Sequence, residues 1–205
     1  MENNESIKYF TSSELNLFFH TLEEDTKNAK TEYSKKCAIR NEALFKILYY
    51  CSLRASEVAM LRKENYNDLK HEIFCKRIKG GMNNTLVIVE ENILFSLKKH
   101  LSYNKPKVYL FENFKTNDKL SRKTLYFIFR KVCRSKNIGS EDKWHPHTLR
   151  HTRAVILAEA GFDLKELQYW LGHKHISNTL IYYQFTSKQH EAMYKKLKKG
   201  RKKHE

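Results

Sequence analysis

The sequence predicts a mainly α-helical domain carrying a small antiparallel β-sheet or hairpin. Several segments place apolar residues at the i, i+3, i+4, i+7 spacing of one helix face. One pair of β-like runs, residues 72–78 and 85–89, flanks the turn-forming "KGGMNN". No internal repeat and no Pro/Gly/Ser-rich linker divides the 205 residues. That length suits one domain, or a large domain with a small appendage.

The elements follow in order. Residues 1–10 read as a flexible leader, 11–185 as the folded domain, and 186–205 as a C-terminal helix with a basic tail ending "KKLKKGRKKHE". In "TSSELNLFFHTLEE", Thr11 and Glu14 form a capping box, and Leu15, Phe18, Phe19 and Leu22 make an apolar face. The polar stretch 24–36 reads as a loop. A second helix runs from Ala38 to Cys51 with Leu44, Ile47, Leu48 and Cys51 on one side, and Ser56 is the expected N-cap of a short third helix. After the hairpin come a helix near 91–101 and the apolar piece "VYLF". "SRKTLYFIFRKVCRSKNIG" then gives a helix with Leu125, Ile128, Phe129 and Val132 inward and a glycine beyond its end. Helices are expected over 146–160 after Pro146, over "DLKELQYWLGH" with Leu164, Leu167 and Leu171 as a core stripe, and over "SNTLIYYQF".

Lys and Arg number 39 against 23 Asp and Glu, a formal charge of +16. Such a balance points to a polyanionic partner, most simply nucleic acid. No apolar run approaches the roughly 18 residues of a membrane span, and the Glu- and Asn-rich start does not have the pattern of a signal peptide. Cys37, Cys51, Cys75 and Cys133 are far apart with no CxxC pair, which fits reduced core thiols in a reducing compartment better than a disulfide frame or zinc ribbon.

Residues 144–153, "WHPHTLRHTR", crowd three histidines and two arginines around one proline. A zinc site is disfavoured, because no Glu stands between His147 and His151 as in HExxH and no Cys is near. Solvated charge suits His145 and Arg153, read as surface or phosphate-contacting residues. A phosphate cradle fits best: His147 and Arg150 share one helix face just after an N-terminus, where free backbone N–H groups favour anions. Downstream, "WLGHKHISNTLIYY" ends a helix at Leu-Gly-His, and Tyr182 falls nine residues after His173.

The stretch "HTLRHTRAVILAEAGFDLKELQYWLGHKHISNTLIYY" resembles the C-terminal signature of the tyrosine recombinases, the phage-integrase family: H-x-L-R-H-T, a Gly-containing turn, L-G-H, then T-x-x-Y. "SLRASEVAMLR" is similar to the family's first arginine box, and the lysine of "RIKGG" resembles the one on its β2–β3 hairpin. The three boxes stand in the family order. The resemblance implies a tyrosine-recombinase catalytic-domain fold over residues 11–185, similar in extent to the short recombinases of the fimbrial-inversion type, which lack a separate DNA-clamping domain in front, or to a fragment of a longer member. After the hairpin lysine the family usually has another basic residue, where this chain has "MNN".

Residue by residue, the resemblance implies Arg54 as the first arginine, Lys79 as the hairpin lysine, His147 and Arg150 as the H-x-x-R pair, His173 as the third basic position and Tyr182 as the nucleophile. The chemistry fits. Guanidinium groups match, in bidentate fashion, the charge that grows on the non-bridging oxygens of an attacked phosphodiester. At pH 7 a tyrosine near its ordinary value of about 10 lacks about 4 kcal/mol toward ionisation, which neighbouring cations and a base such as His147 offset. Glu57 reads as structural, Tyr183 as packing, and His151 as a buried hydrogen-bonding residue, with Lys76 the alternative to Lys79.

The expected activity is therefore DNA recombination by a site-specific DNA strand transferase, working through a 3′-phosphotyrosyl link without metal, ATP or other cofactor. Its expected partner is double-stranded DNA in the cytoplasm, with a homo-tetramer on synapsed sites, a monomer or dimer off DNA, and a DNA-bending accessory protein possible. The alternatives are a type IB topoisomerase-like strand transferase and a non-enzymatic DNA-binding regulator. On this charge balance, DNA affinity should fall steeply with salt, by a log–log slope of about −0.9 for each phosphate contacted. A nearly flat plot from fluorescence-anisotropy titrations at several salt concentrations would remove nucleic acid as the natural partner.

Overall fold

The computed structural model describes residues 7–183. The expected C-terminal helix and basic tail at 186–205 lie outside the described residues, as does most of the leader. The leader's end is not free. Phe10 is buried, stacks on Phe129 and donates its backbone N–H to Thr152 Oγ1 at 2.9 Å. A ring this apolar gains more from the core than a frayed end gains in entropy.

Helix α1 (Ser12–Lys27) opens on the expected box: Thr11 Oγ1 accepts from Glu14 N, and Glu14 Oε2 accepts from Thr11 N at 2.7 Å. Helix α2 (Glu32–Tyr50) is capped by Thr31 and Ser34. The expected loop at 24–36 therefore shrinks to four residues, 28–31. Its polarity belongs to the solvent-facing ends of two helices, where polarity reports exposure and not chain conformation. From Ala38 onward α2 is buried on nearly every side, and it packs against α1, α4 (Glu91–Asn104) and α6 (His147–Glu159). Even its charges are paired inside: Lys46 Nζ meets Glu23, Glu42 and Ser96 at 2.8, 3.1 and 2.8 Å.

Helix α3 (Ala55–Ala59) begins two residues earlier than expected. Arg54, not Ser56, is its N-cap, because the Glu57 carboxylate reaches back to the Arg54 N–H at 2.9 Å. The sheet has three antiparallel strands, β1 (Tyr66–Asn67), β2 (Glu72–Cys75) and β3 (Asn84–Val87), in the order β1-β2-β3 with Ile73 opposite Leu86. The hairpin is where the sequence put it, with shorter strands. The two-residue β1 is too brief to show alternation. A second small ladder joins β4 (Glu112–Asn113) to β5 (Asp118–Lys119). Helix α5 (Arg122–Ser135) buries Leu125, Phe129 and Val132 as expected. Helices α7 (Leu164–Leu171) and α8 (Ser177–Leu180) complete the described chain.

The main core gathers α1, α2 and α5 around four rings, with Phe129 in ring contact with Phe10, Phe18 and Phe45. A second cluster, Ala154, Val155, Leu157, Leu167, Leu171 and Tyr182, binds α6 to α7 and to the chain after α8. The four cysteines are free thiols, three of them buried. No described helix is long and apolar enough to cross a membrane. Replacing Phe129 with Ala should lower stability by about 3–5 kcal/mol. Urea unfolding monitored by circular dichroism measures it, and a loss below about 1 kcal/mol would show that the ring cluster can collapse onto the gap.

Candidate active site

Helix α6 supplies most of the site. Pro146 precedes its first residue, His147, and the 3.6-residue period places His147, Arg150 and His151 on neighbouring positions of one face. Arg150 is almost wholly buried. Its Nη2 donates to the Leu171 carbonyl at 2.9 Å and its Nη1 to the Ser52 carbonyl. Burial, with Arg54 and Arg77 close by, brings the Arg150 guanidinium down to about 10, so it remains charged at neutral pH.

Arg54 sits at the start of α3 and holds Glu57 Oε1 at 2.7 Å. Burial alone would raise the Glu57 carboxyl. The Arg54 backbone N–H and the charges of Arg77 and Arg150 outweigh it and keep Glu57 below the usual carboxylate range. Lys79 is exposed on the connection between β2 and β3, in the left-handed region at φ +55° and followed by two glycines. With Arg54, Arg122, Tyr126, His145 and His147 it lines a cleft of about 600 Å³. Lys79 also lines an adjoining recess of about 230 Å³ with Arg54, Gly172 and His173.

The turn at Leu-Gly-His forms because Gly172 takes φ +64° and closes α7. His173 follows, buried, its Nδ1 3.0 Å from Thr179 Oγ1. Tyr182 is 2 % exposed, and its hydroxyl lies 2.9 Å from His151 Nδ1. Burial holds that hydroxyl above its ordinary value near 10, outweighing the pull of Arg150 and Arg54. The His147 and His151 rings meet edge to face at 4.4 Å. Burial and neighbouring charge hold the histidines neutral: His147 and His173 at about 3, His151 at about 4.

Arg54 and Lys79 thus line two recesses, one shared with His147 and the other with His173, while Arg150 and Tyr182 are buried, Arg150 close to both Arg54 and Tyr182. Three expectations change. His151, not His147, touches the Tyr182 hydroxyl, because Nδ1 of the residue one turn further along faces it. Arg153 is no surface residue. It is buried, paired with Glu90 at 2.8 Å and packed over the rings of Tyr49, Tyr50 and Trp170. Arg77 went unnoticed, yet its side chain is fully buried behind Arg54 and bonded to Glu57. A signal existed: Ile73, Cys75 and Arg77 share the inward phase of strand alternation. Among the described residues no three His, Cys, Asp or Glu side chains converge as metal ligands would.

Permanently charged guanidinium groups at a cleft mouth, a lysine on a hairpin and a tyrosine at hydrogen-bond range of a histidine can bind a phosphodiester and attack it. Residues 8–190 match the profile of the Phage integrase family. This chain belongs to the phage integrase family. Among related members, Tyrosine recombinase XerA of Pyrococcus horikoshii is 32% identical over 163 residues, 78% of this chain and 55% of that protein. A Tyrosine recombinase of Thermosipho africanus is 28% identical over 175 residues, 85% of this chain and 60% of the relative. The chain therefore spans little more than half the length of either. Among solved structures, XerH site-specific recombinase bound to palindromic difH substrate in a post-cleavage complex aligns with TM-score 0.77 at 23% identity, covering 93% of this integrase-family chain and 53% of XerH. XerA recombinase aligns with TM-score 0.74 at 20% identity, covering 96% and 66%. At these identities the solved structures establish the fold.

Histidines depressed this far tie stability to pH. The unfolded chain takes up protons near the ordinary value of 6.5, while the folded sites resist until about 4 or 3. Their contribution is complete above about 6.5 and drains as pH falls below it. The thermal midpoint should drop steadily from pH 6.5 to 4, and His151→Asn should flatten that slope. A midpoint independent of pH across this window would show that the histidines are solvated.

Proposed function

We propose that this phage integrase family member is the catalytic part of a site-specific DNA recombinase. It cuts and rejoins double-stranded DNA, in integration, excision or inversion, through a 3′-phosphotyrosyl intermediate. One observation carries the reading: the Tyr182 hydroxyl, bonded to His151, lies beside the buried Arg150, which is itself close to Arg54 of the cleft that Lys79 and His147 also line. The basic face of α5 adds support, since Arg122 and Tyr126 line the cleft and Lys123, Arg130 and Arg134 continue exposed along the helix.

In this reading Arg54 and Arg150 hold the non-bridging oxygens and stabilise the charge that grows there in the transition state. Tyr182 Oη bonds to phosphorus as its proton leaves toward the His151–His147 pair, whose basicity rises once a phosphate anion is present. The 5′-oxygen departs with a proton from Lys79, and His173 steadies the phosphate from the opposite rim. The phosphotyrosyl bond conserves the bond energy for rejoining, so neither ATP nor metal enters. Because Tyr182 is buried, attack requires the segment 177–183 to turn toward the cleft. Synapsis by a homo-tetramer, a monomer or dimer off DNA, help from a DNA-bending protein and a DNA-associated life in the cytoplasm complete the proposal.

Tyr182→Phe should keep its DNA affinity and form no covalent complex on a nicked substrate, whereas Tyr183→Phe, whose hydroxyl is engaged with the Phe162 carbonyl, should still form one. DNA-linked protein from Tyr182→Phe on a denaturing gel would reassign the nucleophile. Lys79→Ala should be slower by about 10²–10⁴-fold on ordinary DNA and recover when sulfur replaces the 5′-bridging oxygen, since a thiolate leaves without a proton. Arg150→Ala should recover on neither substrate.

A further inference from the structure

The hairpin that carries Lys79 is fastened at its root and near its tip to the turn that carries His173. We propose that Arg77 is the positioning residue of the site, a buried clamp that sets Lys79 against His173 and Arg54. The role of Lys79 in this proposal rests on the recombinase reading; the clamp itself does not.

Arg77 has no exposed side-chain surface, and each of its five N–H groups has an acceptor. Nε donates to Asn84 Oδ1 at 3.0 Å, within the hairpin. Nη1 meets the Ser52 carbonyl at 3.2 Å and Glu57 Oε2 at 3.4 Å, in the segment that holds Arg54. Nη2 meets the carbonyls of Cys51 at 3.0 Å and Trp170 at 2.8 Å, the latter two residues before Gly172. A single planar group thereby joins the three chain segments that bear Lys79, Arg54 and His173. Lysine offers one point charge and three donors, and cannot reproduce that geometry.

Neighbouring contacts reinforce the same junction. Asn84 Nδ2 donates to the Tyr169 carbonyl at 2.7 Å, Tyr169 Oη donates to the Thr85 carbonyl at 3.0 Å, and Met82 N donates to the Gly172 carbonyl at 3.1 Å. Ile78 N, one residue before Lys79, donates to Glu57 Oε1 at 3.2 Å. The approach is too close for side chains: a Cβ on Gly81 would stand 2.8 Å from the Gly172 oxygen and 2.9 Å from Arg77 Cβ. Lys79 touches the phosphate in the proposed reaction; Arg77 does not, and acts through it.

Two variants of the full chain test the clamp. Arg77→Lys loosens it directly. Gly81→Ala wedges the hairpin off the turn without altering the buried charge, so it carries the test if Arg77→Lys fails to fold. In the free protein, amide exchange at Ile78 and Met82 should quicken by roughly tenfold or more in a folded variant, while Ile47 and Leu48 in α2 stay protected. On DNA, covalent-complex formation should slow by at least about tenfold at unchanged affinity, then return to within about threefold of wild type on the sulfur-bridged substrate, the mark of a misplaced proton donor. Unaltered exchange at Ile78 and Met82 overturns the clamp. A defect equally deep on both substrates overturns its action through Lys79. Exchange needs no DNA, so it judges the clamp even if wild type never links to DNA, a result that would sink the recombinase reading instead.

Discussion

Two buried guanidinium groups, those of Arg77 and Arg150, donate to one carbonyl oxygen, that of Ser52. Like charges so close and so dry are tolerable only where every N–H finds an acceptor. Arg77 meets that demand in full, and both groups draw on the ends of helices. The carbonyls of Cys51 and Ser52 follow α2, and those of Trp170 and Leu171 close α7, where unpaired carbonyls and the negative end of the helix dipole favour cations. Left-handed residues at Ser52 and Gly172 stop α2 and α7 where these carbonyls are left for the arginines.

The cleft side uses the opposite polarity. His147 opens α6, so it stands at the positive end of that helix's dipole, whose first N–H groups, those of Thr148 and Leu149, are already bonded to the His145 and Pro146 carbonyls. Arg77 and Arg150, bonded to carbonyls at helix ends, form a buried positive layer close to Arg54, which lines the cleft. In the recombinase reading these charges are held in place before any phosphate arrives, as electrostatic catalysis asks, and the movement falls to the segment that carries Tyr182.

The helices were legible because each buries a stripe: Phe18 and Leu22, Leu44 and Leu48, Leu125 and Phe129 all point inward as their spacing requires. The separation of Arg54 from His147 by nearly a hundred residues says nothing of their meeting; the family pattern brought them to one list, and the helix ends bring them to one cleft. What escaped was mostly polar burial. Arg77 and Arg153 look like surface charge until the carbonyls, rings and carboxylate that receive them are known, and those partners come from distant segments. The loop at 24–36 failed for the reverse reason, since polar side chains on an exposed helix end read like a coil. Ser56 lost the cap position because the Glu57 carboxylate, by accepting from the Arg54 N–H, starts the helix two residues sooner.

The neutral histidines have a further meaning. Rings that stay uncharged down to about 4 add nothing to the field at the cleft anywhere in the range where cells live. The guanidinium groups and helix ends that contribute to that field do not titrate there either. Acidification across that range therefore leaves the contribution of these three rings unchanged, where three ordinary histidines would each have gained a charge.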